Sequence, residues 1–161
     1  MANVSAGVLL FRRAGPGGVE VLIAFPGGPF FSGKGDGAWT LPKGEYGPDE
    51  DAMAAAGREF TEEIGSPPPD GEWIDLGSVT QRSGKVVRAW AVEGDLDAGA
   101  TVSNDFEMEW PRGSGVRRSF PEVARAQWCG PAEARRKLNA AQVPFVDRLE
   151  AALSQVPPGS G

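Results

Sequence analysis

GEYGPDEDAMAAAGREFTEEIGS, residues Gly44 to Ser66, decides the fold of this chain. Its second half reads as a helix over Pro48 to Ile64. Gly47 is expected as the N-cap, Pro48 suits the first helical position, and Asp49, Glu50 and Asp51 favour the first turn. Gly65 then ends the helix, and SPPP from Ser66 blocks its continuation. At roughly 100° per residue, Met53, Ala56, Phe60 and Ile64 form one apolar stripe. Glu59, Glu62 and Glu63 fall on an adjacent stripe at i, i+3 and i+4. Like charges at that spacing cost about 0.2–0.5 kcal/mol per pair. The helix dipole disfavours each at a C-terminus by about 0.3–1 kcal/mol. Arg58 offsets part of this through Glu62 at i+4. Either this is a solvated acidic helix end, or the carboxylates hold a cation. An oxygen-only donor set selects a hard metal, Mg²⁺ or Mn²⁺.

The rest of the chain narrows the chemistry. It has 161 residues, no histidine and one cysteine, Cys129. Nucleophile systems that need histidine, histidine-ligated metals and an internal disulfide are thereby excluded. The net charge of −6 disfavours non-specific binding to large nucleic acids. No apolar run approaches the ~18 residues of a membrane span, and the N-terminus lacks a signal-peptide layout. A cytoplasmic protein without membrane partners is the expectation.

SAGVLLF (Ser5 to Phe11) and VEVLIAF (Val19 to Phe25) flank the turn GPGG and read as a hairpin. AWTL (Ala38 to Leu41), Trp73 to Ser78, KVVRAWAV (Lys85 to Val92) and FEMEW (Phe106 to Trp110) read as further strands. Gln127 to Cys129 is expected to close the sheet. Pro131 to Leu138 and Pro144 to Leu153 read as helices. The Gly-rich loop between Pro26 and Gly37 nearly matches a phosphate-binding P-loop. Gly35 stands where that motif needs Ser or Thr and no helix follows, so the match is rejected. A single domain over residues 1–156 and a flexible tail over 157–161 are expected.

At every polar position, Gly44 to Ser66 resembles the signature of the Nudix hydrolases, G-x5-E-x7-R-E-U-x-E-E-x-G-U, where U is a bulky apolar residue. Gly44, Glu50, Arg58, Glu59, Glu62, Glu63 and Gly65 occupy the fixed places, and Phe60 the first U. Ser66 departs from the final U. The flanking runs SAGVLLFRR, GAWTLPKGE and KVVRAWAV also look like the strands around the box in that family. The resemblance implies an α/β (α+β) fold, a mixed β-sheet sandwiched between α-helices. It implies divalent-metal-dependent hydrolysis of a nucleoside diphosphate linked to another group. The substrate would be a small-molecule nucleotide, and the protein a monomer or homodimer. Glu59 and Glu63 would be the main metal ligands, Glu62 a ligand directly or through water, and the Gly44 carbonyl a further donor. Arg58 would hold the glutamates, and Glu50 and Gly65 would shape the motif. Water with a pKa lowered by the metal would attack phosphorus in line.

Other residues are candidates from their type and place. Glu107 and Glu109 share one face of FEMEW, as a general base and further ligand or as a solvated strand face. Lys43, next to the box, is the first choice for phosphate. Arg12, Lys34, Lys85 and Arg88 are further cations that either bind substrate or sit solvated. Arg112, Arg117 and Arg118, around a Gly/Ser-rich loop, are read the same way. Phe30 and Phe31 offer a stacking wall for a base, as does Trp39 unless it packs in the core. The run ending in PKG looks most like bacterial members near dinucleoside polyphosphate hydrolases. A nucleotide-sensing module of the same fold without catalysis is the alternative. The isomerase branch of the fold needs histidine, which is absent.

Overall fold

The computed structural model describes residues 4–16, 18–29 and 35–154. Phe30, Phe31, Lys34 and the expected tail lie outside them. A mixed sheet forms the centre, in the order β4 (Ile74–Thr80), β5 (Val86–Glu93), β1 (Val4–Arg13), β2 (Val19–Pro26) and β8 (Val123–Cys129). The short β3 (Lys43–Glu45) also pairs with β1. Only β1 and β5 run parallel; the other pairs in this sheet are antiparallel.

β1 is buried from Ser5 to Phe11, and its alternation builds both faces of the core. Ala6, Val8 and Leu10 pack with Ala55, Ala56, Phe60 and Ile64 of α1 (Ala52–Ile64). Leu9 and Phe11 pack on the opposite face with Ala134 of α2 (Pro131–Lys137) and Phe145, Val146 and Leu149 of α3 (Val143–Ser154). This is the sheet between helices implied by the sequence. Among the described residues no helix is long and apolar enough to cross a membrane.

The hairpin of β1 and β2 forms, with Phe11 opposite Val21, and β8 closes the sheet beside β2. Two expectations change, the strand at AWTL and the start of the box helix, and the strand at FEMEW falls outside the main sheet. AWTL is not a strand: Trp39 and Thr40 make isolated bridges, and pairing with β1 begins only at Lys43. FEMEW does alternate, but it lies outside the main sheet. β6 (Asp105–Glu109) and β7 (Arg117–Pro121) form a separate two-stranded ribbon. The box helix starts later than Pro48. Asp51 is the N-cap, its carboxylate accepting from the Ala54 amide at 3.0 Å. Aspartate supplies a side-chain acceptor to an orphan helix amide and Gly47 cannot. Met53 therefore falls in the first turn and is 42 % exposed, so the apolar stripe runs through Ala55, Ala56, Phe60 and Ile64 instead. The helix ends as expected: Gly65 takes φ 94° and its N–H donates to the Thr61 carbonyl.

A buried amide fixes the approach to β3. Gln142, fully buried, accepts from the Leu41 N–H at 3.0 Å and donates to Thr40 Oγ1 at 2.9 Å and Gln81 Oε1 at 3.1 Å. Three separate stretches thus share one side chain. Gln142→Ala leaves these groups unsatisfied in the interior and is expected to cost about 1–3 kcal/mol. Urea unfolding of the variant against the parent protein measures the loss.

Candidate active site

The site begins with a glycine. The register of β1 and β3 sets Gly44 opposite Ala6, on the face that packs against α1. A Cβ on Gly44 would lie 2.0 Å from Glu59 Oε2. The Glu59 carboxylate therefore rests directly against the box backbone, and Glu59 is only 8 % exposed.

One guanidinium organises the neighbouring carboxylates. Arg58 Nε and Nη2 donate to Glu50 Oε2 and Oε1 at 2.8 and 2.9 Å, a bidentate pair. Its Nη1 donates to Glu59 Oε1 at 2.8 Å and reaches Glu62 Oε1 at 3.3 Å. These bonds, those to Glu50 first, raise the Arg58 pKa. Glu63 turns the other way and accepts from the Lys43 N–H at 3.2 Å.

Arg58 does not neutralise the cluster. Burial, with Glu62 and Glu50 nearby, holds Glu59 above the usual carboxylate range despite Arg58. Glu63 is pushed up to about 8, chiefly by burial, with Glu59 and Glu122 adding to the rise.

Glu122 is the residue that sequence reasoning missed. It stands at the bend between β7 and β8, and its pKa is raised by burial and then by Glu59 and Glu62. Its backbone N–H donates to the Asn104 carbonyl at 2.8 Å, and the Asn104 N–H donates to the Glu62 carbonyl at 2.8 Å. Two backbone bonds thus pin Glu122 to the end of α1. No spacing in the sequence announces a contact across some sixty residues.

The other candidates are placed as follows. Lys43 is depressed in pKa by burial and by Lys85, while Glu63, Glu45 and Glu59 oppose that. Its ammonium makes no hydrogen bond or ion pair among the described residues. Lys85 lies 4.0 Å from Glu45. Arg12 is five residues beyond Gly7 on β1, roughly 17 Å along the strand. There it pairs with Glu20 and Asp95 and stacks over Trp128 at 4.1 Å. Arg88 pairs with Asp75 and lies over Trp90. Trp39, 2 % exposed, packs against Phe25 in the core. Glu107 and Glu109 occupy the exposed face of the ribbon, and Glu109 accepts from the Gly113 amide in the turn. Among the described residues, neither bonds to a residue of the box.

Among the described residues no group of three or more His, Cys, Asp or Glu side chains is already arranged to hold a metal ion. The donor set nevertheless fits a hard divalent cation. It contains only oxygens, three of its carboxylates have raised pKa values, and the bare Cα of Gly44 lets the Glu59 carboxylate lie against the box backbone. Glu59, Glu62 and Glu63 would hold it, with Glu122 beside them.

A mixed sheet between helices, with this box at the end of α1, defines a Nudix-type domain. The NUDIX domain family matches residues 1–149, and the chain belongs to that family, whose members hydrolyse phosphoanhydride bonds and generally use divalent metals. Among curated proteins none matches the sequence. Solved structures share the fold at low identity. An Ap4A hydrolase of C. elegans, in a binary complex, is 21% identical over 93% of this chain and 98% of its own, with a TM-score of 0.61. The NUDIX domain of Shewanella oneidensis NrtR, complexed with ADP ribose, is 16% identical over 95% and 89%, with a TM-score of 0.64. A MutT protein from Methanosarcina mazei Go1 is 19% identical over 96% of each chain, with a TM-score of 0.61.

Two outcomes follow from this geometry. Glu63 has a folded-state pKa near 8 against an ordinary value of 4.5. Its contribution to stability is complete below about pH 4.5 and is lost as pH rises towards 8. Thermal melts in chelator are expected to show Glu63→Gln gaining on the parent protein from pH 5 to pH 8. Gly44→Ala displaces a flexible carboxylate rather than backbone. It is expected to stay folded by circular dichroism while calorimetry shows Mn²⁺ binding at least about tenfold weaker, the order of loss seen when groups supporting a metal site are changed.

Proposed function

We propose that the protein hydrolyses a pyrophosphate bond in a nucleoside or dinucleoside polyphosphate, with Mg²⁺ or Mn²⁺. One observation carries the reading: the Glu59 carboxylate rests against Gly44 and Glu63 bonds to the adjacent Lys43 amide, with the like charges of Glu62 and Glu122 nearby, and among the described residues Arg58 is the one cation ion-paired to this set. When bound, a divalent cation supplies Lewis acidity, drawing charge from phosphoryl oxygens and acidifying water. Arg58 fixes the rotamers of Glu59 and Glu62 from the Glu50 side. Glu59, resting against Gly44, and Glu63, bonded to the Lys43 amide, are the residues that would hold the cation.

Glu122 takes the proton of the attacking water. It is clamped by backbone to the end of α1 and is not committed to an ion pair among the described residues. The oxygen of that water bonds to phosphorus, the anhydride P–O bond breaks, and the phosphate on the other side of that bond leaves with whatever it carries. Lys43, whose ammonium makes no ion pair among the described residues and feels the charge of Glu63, neutralises phosphate oxygens. Glu107 and Glu109 are less suited to the base role, because they sit on the outer face of the ribbon. The Ap4A hydrolase likeness and the PKG run before the box support a polyphosphate substrate.

Steady-state hydrolysis of a panel of nucleotides at saturating metal tests the assignment. Glu63→Gln is expected to retain less than about a tenth of the parent rate while remaining folded. Glu122→Gln is expected to lower kcat by about 10²-fold or more, the range of a lost general base, while Glu107→Gln and Glu109→Gln stay near the parent rate. A full rate in Glu122→Gln would return the base role to the ribbon.

A further inference from the structure

Beside Glu122 the fold leaves a cleft of about 710 Å³, a size that suits a small-molecule ligand. Its walls are Phe25 and Pro26 at the end of β2, Trp110 and Phe120 of the ribbon, and Ala124 and Arg125 at the start of β8. It adjoins the charged site: Pro121 and Ala124 both line it, Glu122 lies between them in sequence, and the Gly27 N–H donates to the Glu122 carbonyl at 3.0 Å. Phe120 is braced from behind by Phe106, with ring centroids 6.0 Å apart.

The electrostatics of the cleft oppose those of the glutamates. The exposed Arg125 lies over the rings of Phe25 and Trp39, 5.3 Å from each centroid. Among the described residues it makes no ion pair, and neither do Arg112, Arg117 or Arg118 on the ribbon and its turn. Of these four guanidinium groups, that of Arg125 lines the cleft. Aromatic walls with a cation at the rim recognise a flat, electron-rich heterocycle joined to an anionic group.

We propose that this cleft is the subsite for a purine base of the substrate. The ring stacks against Phe120 and Trp110, Arg125 lies at the rim, and the phosphates run past Glu122 towards the box. The proposal rests on the pyrophosphohydrolase reading for what happens to those phosphates, but it makes a separate claim about binding. It assigns selectivity to the ribbon and the β2 end rather than to the box.

Calorimetric titration of the full-length protein with AMP, GMP and ribose 5-phosphate tests it, since the nucleotides differ from the sugar phosphate in carrying a base. The parent protein is expected to bind at least one nucleotide about tenfold or more tighter than ribose 5-phosphate. In Phe120→Leu/Arg125→Gln, checked for folding by thermal melting, that preference is expected to fall below threefold. Arg125→Gln alone, at an exposed position, is the second variant and is expected to lose part of the preference. Equal affinity of the parent protein for all three ligands overturns the proposal, as does a preference unchanged in both variants. Metal-dependent phosphate release from a panel of nucleoside and dinucleoside polyphosphates by the parent protein reports on the hydrolase reading separately. A base preference without release would sink that reading and leave the subsite standing, and release without a base preference would do the reverse.

Discussion

The ion pairing of Arg58 is the interaction on which the box depends. One guanidinium faces Glu50, Glu59 and Glu62, while Glu63 lies beyond its reach and bonds to the Lys43 amide. Pairs as exposed as Arg58 with Glu50 contribute only about 0–1 kcal/mol each. Their larger effect is geometric. The bidentate grip on Glu50 holds the turn before α1 against the middle of the helix, so α1 starts at the Asp51 cap and leaves Glu50 free to reach back. Arg58 also keeps the buried carboxylate of Glu59 aimed at Gly44. Among the described residues no second cation forms an ion pair with Glu59 or Glu62. A bound divalent cation would relieve the unfavourable energy that remains, at a cost in stability of the metal-free protein.

The sheet makes this arrangement possible by sharing β1 between two partners. The first half of β1 pairs with β3 and the second half with β2, on the same edge, while β5 runs along the other. Gly44 is thereby carried on the central strand itself, facing α1. Gln142 secures the connection from the opposite side by bonding to Thr40 and Leu41 just before β3. The position of one box backbone atom thus follows from packing on both faces of the sheet.

What was legible in the sequence is what local pattern encodes. The apolar runs SAGVLLF and VEVLIAF on either side of the turn GPGG identify the hairpin, and the 3.6-residue period identifies α1 with its Gly65 stop. The glutamate spacing identifies the box. The start of α1 was misplaced because Gly47 and Asp51 both suit a cap, and only Asp51 brings a side-chain acceptor. FEMEW alternates as expected, but alternation does not say which sheet a strand joins. Arg12 looked available as a lone cation near the N-terminus, whereas Glu20 is its cross-strand partner and Asp95 comes from a distant loop. Glu122 carried no local signal because its burial depends on Gly27, Asn104 and α1 meeting at one bend.

That bend couples chemistry to recognition. A Cβ on Gly27 would lie 1.8 Å from the Pro121 carbonyl oxygen, so the end of β2 touches the backbone just before Glu122. The same glycine donates its N–H to the Glu122 carbonyl, and its neighbours Pro26 and Gly28 line the aromatic cleft. Backbone contact this close is stiff, unlike the contact of Glu59 with Gly44, where a flexible carboxylate is the neighbour. The backbone of Glu122 and the floor of the cleft are therefore tied to one another. A group seated against Phe120 then fixes its position relative to Glu122 through backbone rather than through mobile side chains. The box, built from one helix and one short strand, sets where charge accumulates. The junction of Gly27 with Pro121 sets how far the cleft lies from that charge.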